Sequence, residues 1–278
     1  MKKLFEPKKS LGQHFLKDQR IINRIVSAAK IKPGEKVLEI GAGSGNLSYA
    51  IIKRGAYLFA VELDERLIKY LQDRFVSNDN VEIIKGDGVS MDFDAIFEKA
   101  GEKLKVVANL PYQAGARILV HLIKYRSIFK DFTLMFQKEV AQRITAEPGT
   151  KEYGLLSVII QGIGKPHILF TVPASAFYPC PKVESAVISL IPFDHLPFPE
   201  VEDPFFYRVV RAAFSSKRKT LLNSLNKNPF IDVDKDLLIK ALKETKIDFN
   251  RRGETLSVEE FARLTKNISI LTKKRDNQ

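Results

Sequence analysis

Several residue types are scarce in this sequence, and each scarcity excludes a class of protein. Cys180 is the only cysteine among 278 residues, so no disulfide can form within the chain and no zinc site can be built from cysteines. This usage fits a reducing compartment, and we expect a cytoplasmic protein. No apolar run approaches the roughly 18 residues of a membrane span, and the first nine residues lack the apolar core of a signal peptide. We therefore expect neither a metal site nor a membrane contact.

Acidic residues are also in the minority. The chain has 45 Lys and Arg against 33 Asp and Glu, which gives a formal net charge of +12. An excess of this size predicts a polyanionic partner, most often nucleic acid or an anionic membrane surface. Many basic proteins bind neither nucleic acid nor membranes, so the net charge alone does not identify the partner. The length fits one large domain with a smaller one attached.

A strand, a glycine-rich turn and a helix follow one another near residue 40. The apolar residues 37–40 predict a buried strand, and residues 46–52 predict a helix. Three glycines, which allow positive φ and close approach to a ligand, lie between them: Gly41, Gly43 and Gly45. Glu62 ends the next apolar run, where a carboxylate can accept hydrogen bonds from ribose hydroxyls. The pattern E-x-G-x-G-x-G that begins at Glu39 resembles S-adenosylmethionine-dependent methyltransferases more than dehydrogenases, and no P-loop motif is present.

The rest of the first two thirds of the chain predicts further strands that alternate with helices, and therefore a mostly parallel sheet. Asp87 follows the strand at residues 81–85, at the same edge of the sheet as the glycine turn. Its carboxylate could accept from an adenine amino group, although an ordinary turn aspartate is the alternative. Further strands are predicted over residues 57–61, 104–108, 132–136, 167–172 and 185–191, and helices over residues 19–30, 65–75, 113–125, 138–146 and 153–162.

The composition changes after residue 191. Four prolines between residues 192 and 204 indicate a linker. Beyond the linker only helices are predicted, over residues 205–214, 217–226, 235–245 and 258–268. Ser257 and Glu260 have the spacing of a capping box at the start of the last helix. We therefore divide the chain into a catalytic α/β domain, residues 1–192, and an all-helical domain, residues 193–278.

The tetrapeptide N-L-P-Y at residues 109–112 follows the fourth strand and carries the sharpest functional signal. It resembles the motif of enzymes that methylate exocyclic amines of nucleobases, such as N6 of adenine. The N6 lone pair of adenine is delocalised into the ring, so this amine is a poor nucleophile. The Asn109 side-chain oxygen and the Leu110 carbonyl can each accept an N6–H hydrogen bond and localise that lone pair. Pro111 turns the chain so that the two acceptors converge. Tyr112 offers a face to an extracted base, and such stacking contributes about 1–3 kcal/mol. A turn that merely ends a strand is the alternative.

Over essentially its whole length the sequence closely resembles the ribosomal RNA adenine dimethyltransferases of the KsgA/RsmA type. The resemblance rests on L-G-Q-H-F-L at residues 11–16, N-L-P-Y at residues 109–112 and F-Y-P-C-P-K-V-E-S at residues 177–185. It implies a Rossmann-like methyltransferase fold with a small helical second domain, and S-adenosylmethionine as cofactor. It also implies transfer of four methyl groups to two adjacent adenosines in the 3′-terminal hairpin of small-subunit rRNA, within a pre-ribosomal 30S-type particle.

The resemblance also implies roles for individual residues. Seven cofactor contacts are expected, of which Gly41 and Gly43 belong to the glycine turn: His14, Leu16, Gly41, Gly43, Glu62, Asp87 and Asn109. Target-base contacts are implied for residues 109–112, with stacking from Phe177. The family often has Asn at the position of His14, which matters little if that residue contributes mainly its backbone. For RNA contacts we select the basic residues of two segments that match the family, residues 177–185 and 212–220: Lys182, Lys217, Arg218 and Lys219. The alternative is that these side chains form a solvated cationic surface.

Two other functions fit part of the same evidence. A large-subunit rRNA adenine dimethyltransferase of the macrolide-resistance type would share the fold and the N-[IL]-P-[YF] motif, but the motifs at residues 11–16 and 177–185 favour the small-subunit enzyme. A non-catalytic factor of this fold, for ribosome assembly or mitochondrial transcription, is the second alternative. The complete cofactor motifs and Asn109 argue against it. We expect a monomer.

Overall fold

The structure is a computed structural model that describes residues 6–8 and 12–276, so Leu11 of the first motif lies outside the described residues. The strands are β1 (Phe15–Leu16), β2 (Lys36–Ile40), β3 (Tyr57–Glu62), β4 (Val81–Lys85), β5 (Leu104–Asn109), β6 (Phe129–Gln137), β7 (Gly164–Val172), β8 (Phe177–Tyr178) and β9 (Ser185–Pro192). The α-helices are α1 (Gln19–Ala28), α2 (Asn46–Ile52), α3 (Glu65–Arg74), α4 (Asp94–Ala100), α5 (Gly115–Leu122), α6 (Lys138–Thr145), α7 (Leu155–Ile163), α8 (Pro204–Ala213), α9 (Leu221–Leu225), α10 (Lys235–Glu244) and α11 (Val258–Asp276).

The main sheet has seven strands in the order β4-β3-β2-β5-β6-β9-β7. Strands β2 to β6 pair in parallel, whereas β9 runs antiparallel to β6. The prediction of a mostly parallel sheet is therefore confirmed. Strand β2 lies between β3 and β5, so the strand order reverses there, and an open α/β sheet binds its ligand at such a switch point.

The strands around this switch point are buried on both faces. Val37, Leu38, Leu58, Val106 and Val107 are fully buried. Helices cover both sides of a parallel sheet, and its strands therefore read as continuous apolar runs instead of alternating ones. This is why the apolar run alone was enough to predict β2, β3 and β5.

Two helices of the sheet region begin at aspartates that the sequence identifies as caps. Asp18 accepts a hydrogen bond from the backbone N–H of Arg20 at the start of α1, and Asp64 accepts one from the N–H of Arg66 at the start of α3. Both caps are confirmed. Helix α4 was not predicted, because it spans only seven residues and has no side-chain cap at its start.

The helix predicted over residues 113–125 starts two residues late and ends early. Pro111 accepts from the N–H groups of Ala114 (3.1 Å) and Gly115 (2.8 Å), so a turn occupies the first positions. Helix α5 then gives way to a 3₁₀ segment, Ile123–Ile128. The Pro111 turn is thus part of the strand end, not of the helix.

The chain forms two compact units, one of Met1–Ala141 with Lys165–Pro192 and one of Gln142–Gly164 with Phe193–Gln278. The sequence-based first domain, residues 1–192, is therefore wrong for residues 142–164. Tyr153 and Val158 of this segment belong to the buried cluster of the helical unit. The apolar periodicity of α7 predicts a helix but does not say which core receives its apolar face.

The second unit is built from capped helices around an apolar core. The capping box of α11 is confirmed, because the N–H of Ser257 donates to Glu260 Oε2 (2.9 Å) and the N–H of Glu260 donates to Ser257 Oγ (3.1 Å). The helix predicted over residues 217–226 is wrong at its start. Thr220 is the N-cap of α9, and its hydroxyl accepts from the N–H of Asn223, so residues 217–219 form a turn before the helix.

Candidate functional site

The carboxyl ends of β2, β3 and β5, together with the loop after β4, surround one cavity in the first unit. All ten predicted catalytic and cofactor residues line it: His14, Leu16, Gly41, Gly43, Glu62, Asp87, Asn109, Leu110, Pro111 and Tyr112. These residues lie up to 98 positions apart in the sequence, and the parallel sheet brings their strand ends to one edge.

The glycine turn after β2 is a tight backbone loop. Gly41, Gly43 and Gly45 have φ values of +76°, +58° and +72°, in the left-handed region that favours glycine. At Gly45 a Cβ atom would also lie 2.8 Å from Leu71 Cδ2. The turn is tied to the neighbouring strand, because the N–H of Gly41 donates to the Val61 carbonyl (2.8 Å). The backbone therefore forms a fixed wall of the cavity.

Glu62 at the end of β3 has a structural role beside its predicted ribose contact. It is 7% exposed, and its Oε2 accepts from the N–H of Gly43 (2.8 Å). Its Oε1 accepts from the N–H groups of Leu63 (2.9 Å) and Asp64 (3.0 Å). A carboxylate has about four acceptor positions, so roughly one remains for a ribose hydroxyl. Glu62 thus joins the glycine turn to the start of α3.

Asp87 lies on the exposed side of the cavity. Its Oδ1 accepts from the N–H of Val89 (3.0 Å), and its backbone carbonyl accepts from the N–H groups of Ser90 and Met91. This is the geometry of a turn aspartate, the alternative interpretation of this residue. The turn uses Oδ1 and holds the carboxylate at the cavity wall, so the two interpretations are compatible.

A third acidic residue, Glu39, also lines the cavity. It is 1% exposed, and Ser48 Oγ on α2 donates to its Oε2 (2.6 Å). Burial raises the pKa of the Glu39 carboxyl to about 8, the Ser48 hydrogen bond opposes the rise, and the nearby Glu62 charge adds to it. The carboxyl is therefore mostly protonated at pH 7. The sequence shows Glu39 as part of the glycine motif but gives no sign of this burial.

The cavity is acidic although the chain as a whole is basic. Among the described residues of the lining, Glu39, Glu62 and Asp87 are acidic, and Arg117 is the only Lys or Arg. Such a lining favours a positively charged ligand over one that carries several phosphates. Within the described residues, no group of three or more His, Cys, Asp or Glu side chains is placed to hold a metal ion. No helix of the described chain is long and apolar enough to cross a membrane.

Asn109, the last residue of β5, has a fixed amide orientation. Its Nδ2 lies 3.3 Å from the His14 carbonyl oxygen, and because a carbonyl can only accept, the NH₂ group must point there. Its Oδ1 is buried and has no hydrogen-bond partner in the described part of the chain. Leaving a buried acceptor unpaired costs about 1–3 kcal/mol. A ligand N–H in the cavity would satisfy it.

Tyr112 is held in place from several sides. Its hydroxyl and Ser185 Oγ are 2.6 Å apart, and its ring lies 5.0 Å from the His14 ring and 6.4 Å from the Phe177 ring, centroid to centroid. Burial raises the Tyr112 pKa, so its hydroxyl stays protonated. The ring is therefore presented to the cavity in one orientation. Ser185 was not predicted as part of the site, although it closes the third sequence motif.

The predicted stacking of Phe177 on a target base does not fit this structure. Phe177 is 1% exposed and meets the Tyr112 ring edge-on, so it supports Tyr112 and offers no free face. It is buried because β1 and β8 pair, with Leu16 opposite Phe177 and Phe15 opposite Tyr178. The first and third sequence motifs therefore form one two-stranded sheet, which their separate positions in the sequence did not indicate.

None of the predicted RNA-contact residues is among the described residues that line the cavity. Lys182 is exposed in the first unit, in the loop between β8 and β9. In the second unit, Lys217, Arg218 and Lys219 are exposed in the turn before α9, and none of the three has an ion-pair partner in the described part of the chain. This exposure suits phosphate contacts and equally suits a solvated surface.

The family comparison agrees with the cavity. A model described as "Ribosomal RNA adenine dimethylase" matches residues 4–269. The chain belongs to this family. It is therefore an rRNA adenine dimethyltransferase, and the enzyme class expected from the sequence is confirmed.

Similar proteins cover nearly the whole chain. Ribosomal RNA small subunit methyltransferase A of Alkaliphilus oremlandii is 42% identical over 270 residues, which is 95% of this chain and 93% of that protein. The protein of the same name from Moorella thermoacetica is 42% identical over 270 residues, with 94% and 92% covered. The crystal structure of a dimethyladenosine transferase from Plasmodium falciparum has a TM-score of 0.78 at 27% identity, with 93% of this chain and 98% of that chain covered. The methyltransferase fold is confirmed.

Proposed function

We propose that this enzyme transfers methyl groups from S-adenosylmethionine to N6 of two adjacent adenosines in the 3′-terminal hairpin of small-subunit rRNA. The observation that carries the proposal is the buried Oδ1 of Asn109, a residue of the cavity lining, which has no hydrogen-bond partner among the described residues and is free to accept from a ligand N–H. The names of the relatives that are 42% identical favour the small subunit over the large one.

The cavity residues fit S-adenosylmethionine as cofactor. Glu62 has an acceptor position left for a ribose hydroxyl, and the glycine turn allows close approach of the backbone. Glu62 and Asp87 also give the cavity the negative potential that a sulfonium cation requires. When bound, this cofactor supplies an already activated methyl group, so the protein has mainly to position the acceptor amine.

Asn109 and Leu110 prepare the adenine amine for attack. Asn109 Oδ1 accepts one N6–H hydrogen bond, and the His14 carbonyl holds the Asn109 NH₂ so that Oδ1 cannot turn away. The Leu110 carbonyl is the second acceptor, held by the hydrogen bond from the Leu110 N–H to Met135 (3.2 Å). With both N–H bonds engaged, the nitrogen lone pair is drawn out of conjugation with the ring.

Tyr112 holds the extracted base. Extraction costs a few kcal/mol, and stacking on one aromatic ring returns about 1–3 kcal/mol. Because Ser185 and His14 already fix the Tyr112 ring, little further ordering is needed when the base arrives. The exposed basic turn at residues 217–219 contacts RNA phosphates, and the enzyme acts in the cytoplasm on a pre-ribosomal 30S-type particle as a monomer.

The test is methyl transfer by an Asn109→Ala variant in a single turnover at saturating cofactor, which removes the binding contribution. We expect a loss of at least about 100-fold, the effect of removing one transition-state hydrogen-bond partner. Asn80→Ala is the matched control, because its Nδ2 also donates to a backbone carbonyl (Ala56, 2.9 Å) but lies outside the cavity. A near-normal rate in Asn109→Ala would contradict the mechanism.

The same reaction distinguishes the alternative functions. Small-subunit particles and large-subunit rRNA are offered separately with labelled cofactor, and mass spectrometry locates the modified nucleotides. Dimethyladenosine in the small-subunit hairpin supports the proposal, and dimethyladenosine only in large-subunit rRNA replaces it with the macrolide-resistance activity. Cofactor binding without transfer to either RNA would indicate a non-catalytic factor.

A further inference from the structure

One wall of the cofactor cavity is made by residues 12–16, here called the N-terminal segment. Its position at the cavity depends on the contacts that hold it. Two ties come from the site itself, because Asn46 Nδ2 donates to the Leu16 carbonyl (2.9 Å) and Asn109 Nδ2 donates to the His14 carbonyl. Both bind the later part of the segment, so its first residues need another anchor.

Asp64 provides that anchor. Its carboxylate is buried, with 0% of the side chain exposed, and accepts from Gln13 Nε2 (3.1 Å), Lys8 Nζ (3.2 Å) and Arg66 Nη2 (2.7 Å). The N–H of Asp64 donates to Glu62 Oε1 (3.0 Å). One residue therefore contacts the N-terminal segment through its side chain and the proposed ribose acceptor through its backbone.

A second aspartate in the same chain shows that these contacts are not needed for helix capping. Asp18 caps α1 as Asp64 caps α3, and each is paired with an arginine two residues later. Asp18 makes this cap and ion pair without a hydrogen bond from the side chain of Lys8 or of any residue from 12 to 16, and it is partly exposed. Complete burial of a charge is costly unless it is paired. The burial of Asp64 by Gln13 and Lys8 thus goes beyond the needs of the cap.

We propose that Asp64 is a positioning residue that fixes the N-terminal segment over the cofactor cavity and so raises cofactor affinity. The inference rests on the proposed function, since it takes the ligand of the cavity to be S-adenosylmethionine. The hydrogen bonds from Arg66, and after them those from Gln13 and Lys8, hold the pKa of the Asp64 carboxyl far below its usual range. The anchor is therefore charged at any pH at which the enzyme works.

The mechanism predicts a separation of binding from chemistry. Asp64 touches neither the amine acceptors nor the Tyr112 ring, so its loss should weaken cofactor binding more than it slows transfer at saturating cofactor. Asn is as good an N-cap as Asp, so Asp64→Asn keeps the cap of α3 while it removes the charge that binds Lys8 and Gln13. Gln13→Ala removes the other end of the contact at a half-buried position.

The experiment measures S-adenosylmethionine binding by calorimetry for the wild type, Asp64→Asn, Gln13→Ala, the double variant and the control Asp18→Asn. We expect about tenfold weaker binding for Asp64→Asn, equivalent to about 1.4 kcal/mol. We expect the double variant to be little weaker than Asp64→Asn, because the two residues act through one contact. Hydrogen exchange of a peptide that contains residues 12–17 should be faster in Asp64→Asn and normal in Asp18→Asn.

Each outcome decides one question. If the wild type does not bind S-adenosylmethionine, the proposed function fails and this inference fails with it. If the wild type binds and Asp64→Asn binds equally well with unchanged exchange at residues 12–17, only the positioning role of Asp64 is overturned. Equal weakening in Asp18→Asn would also overturn it, because that result would show a general effect of helix capping. Additive losses in the double variant would overturn it as well, because they would show that Asp64 and Gln13 act independently.

Discussion

Glu39 makes the stability of the first unit depend on pH in an unusual direction. Burial raises the pKa of its carboxyl from 4.5 to about 8, so between these values the folded protein holds a proton that the unfolded chain has released. Stability therefore falls as the pH rises through this range and changes no further above it. Since one pH unit corresponds to about 1.4 kcal/mol, the loss reaches up to about 5 kcal/mol.

Glu39→Gln isolates this contribution. The glutamine is uncharged at every pH, and its side-chain oxygen can still accept from Ser48 Oγ. Its amide hydrogens need an acceptor, and an unsatisfied one costs about 1–3 kcal/mol regardless of pH. We therefore expect the free energy of unfolding of the variant, relative to that of the wild type, to increase steadily from pH 5 to pH 8 and to reach its largest value by pH 9.

The assay is urea unfolding followed by far-ultraviolet circular dichroism at pH 5, 6, 7, 8 and 9 for both proteins. Other titrating groups are shared, so they cancel in the difference between the two free energies of unfolding. Ser48→Ala gives a second check, because loss of the hydrogen bond that lowers the Glu39 pKa should extend the decline in stability to higher pH than in the wild type. A difference that stays constant from pH 5 to pH 9 would refute the argument that Glu39 is protonated when folded.

Three further predictions concern RNA and cofactor. Changing Arg218 and Lys219 together to Ala should reduce the slope of log affinity for small-subunit rRNA against log salt by about 0.7–0.9 per lost phosphate contact; a filter-binding titration with an unchanged slope would show that the turn is only solvated. Glu62→Ala should weaken S-adenosylmethionine binding in calorimetry, and because three backbone N–H groups lose their acceptor it should also lower Tm; normal affinity in a folded variant would contradict the ribose contact. Tyr112→Phe should retain much of the single-turnover rate and Tyr112→Ala should lose most of it, whereas equal rates would exclude stacking.

Much of the fold could be predicted because local sequence patterns around the switch point indicate which residues are buried and where helices begin. Strands buried on both faces are continuous apolar runs, and aspartates at helix starts act locally through their own backbone neighbours. The site could be placed for a related reason: the glycines, Glu62, Asp87 and the N-L-P-Y motif each lie at the end of a strand or just after it. In a parallel sheet, all such positions meet at one edge.

The features that sequence reasoning missed depend on contacts between distant segments. Phe177 appears in its motif as a free aromatic residue, but pairing of β8 with β1 buries it. Helix α7 has a clear apolar periodicity, yet its core partners come from beyond residue 193. The orientation of the Asn109 amide depends on the carbonyl of His14, which lies 95 residues earlier. No local pattern encodes any of these three facts.

Asp18 and Asp64 show that the local sequence predicts a helix cap but not the tertiary contacts of the capping residue. Each is followed two residues later by an arginine, each begins a helix, and each was predicted correctly as an N-cap. The local sequence gives no reason to treat them differently. Of the two, only Asp64 accepts hydrogen bonds from Gln13 and Lys8. Asp64 lies just after the end of β3, beside the N-terminal segment at the cavity, whereas Asp18 follows that segment closely in the sequence. The same kind of N-cap residue can thus only cap a helix at one position, and both cap a helix and fix a neighbouring segment of a binding site at another. The difference between the two positions lies in tertiary structure alone.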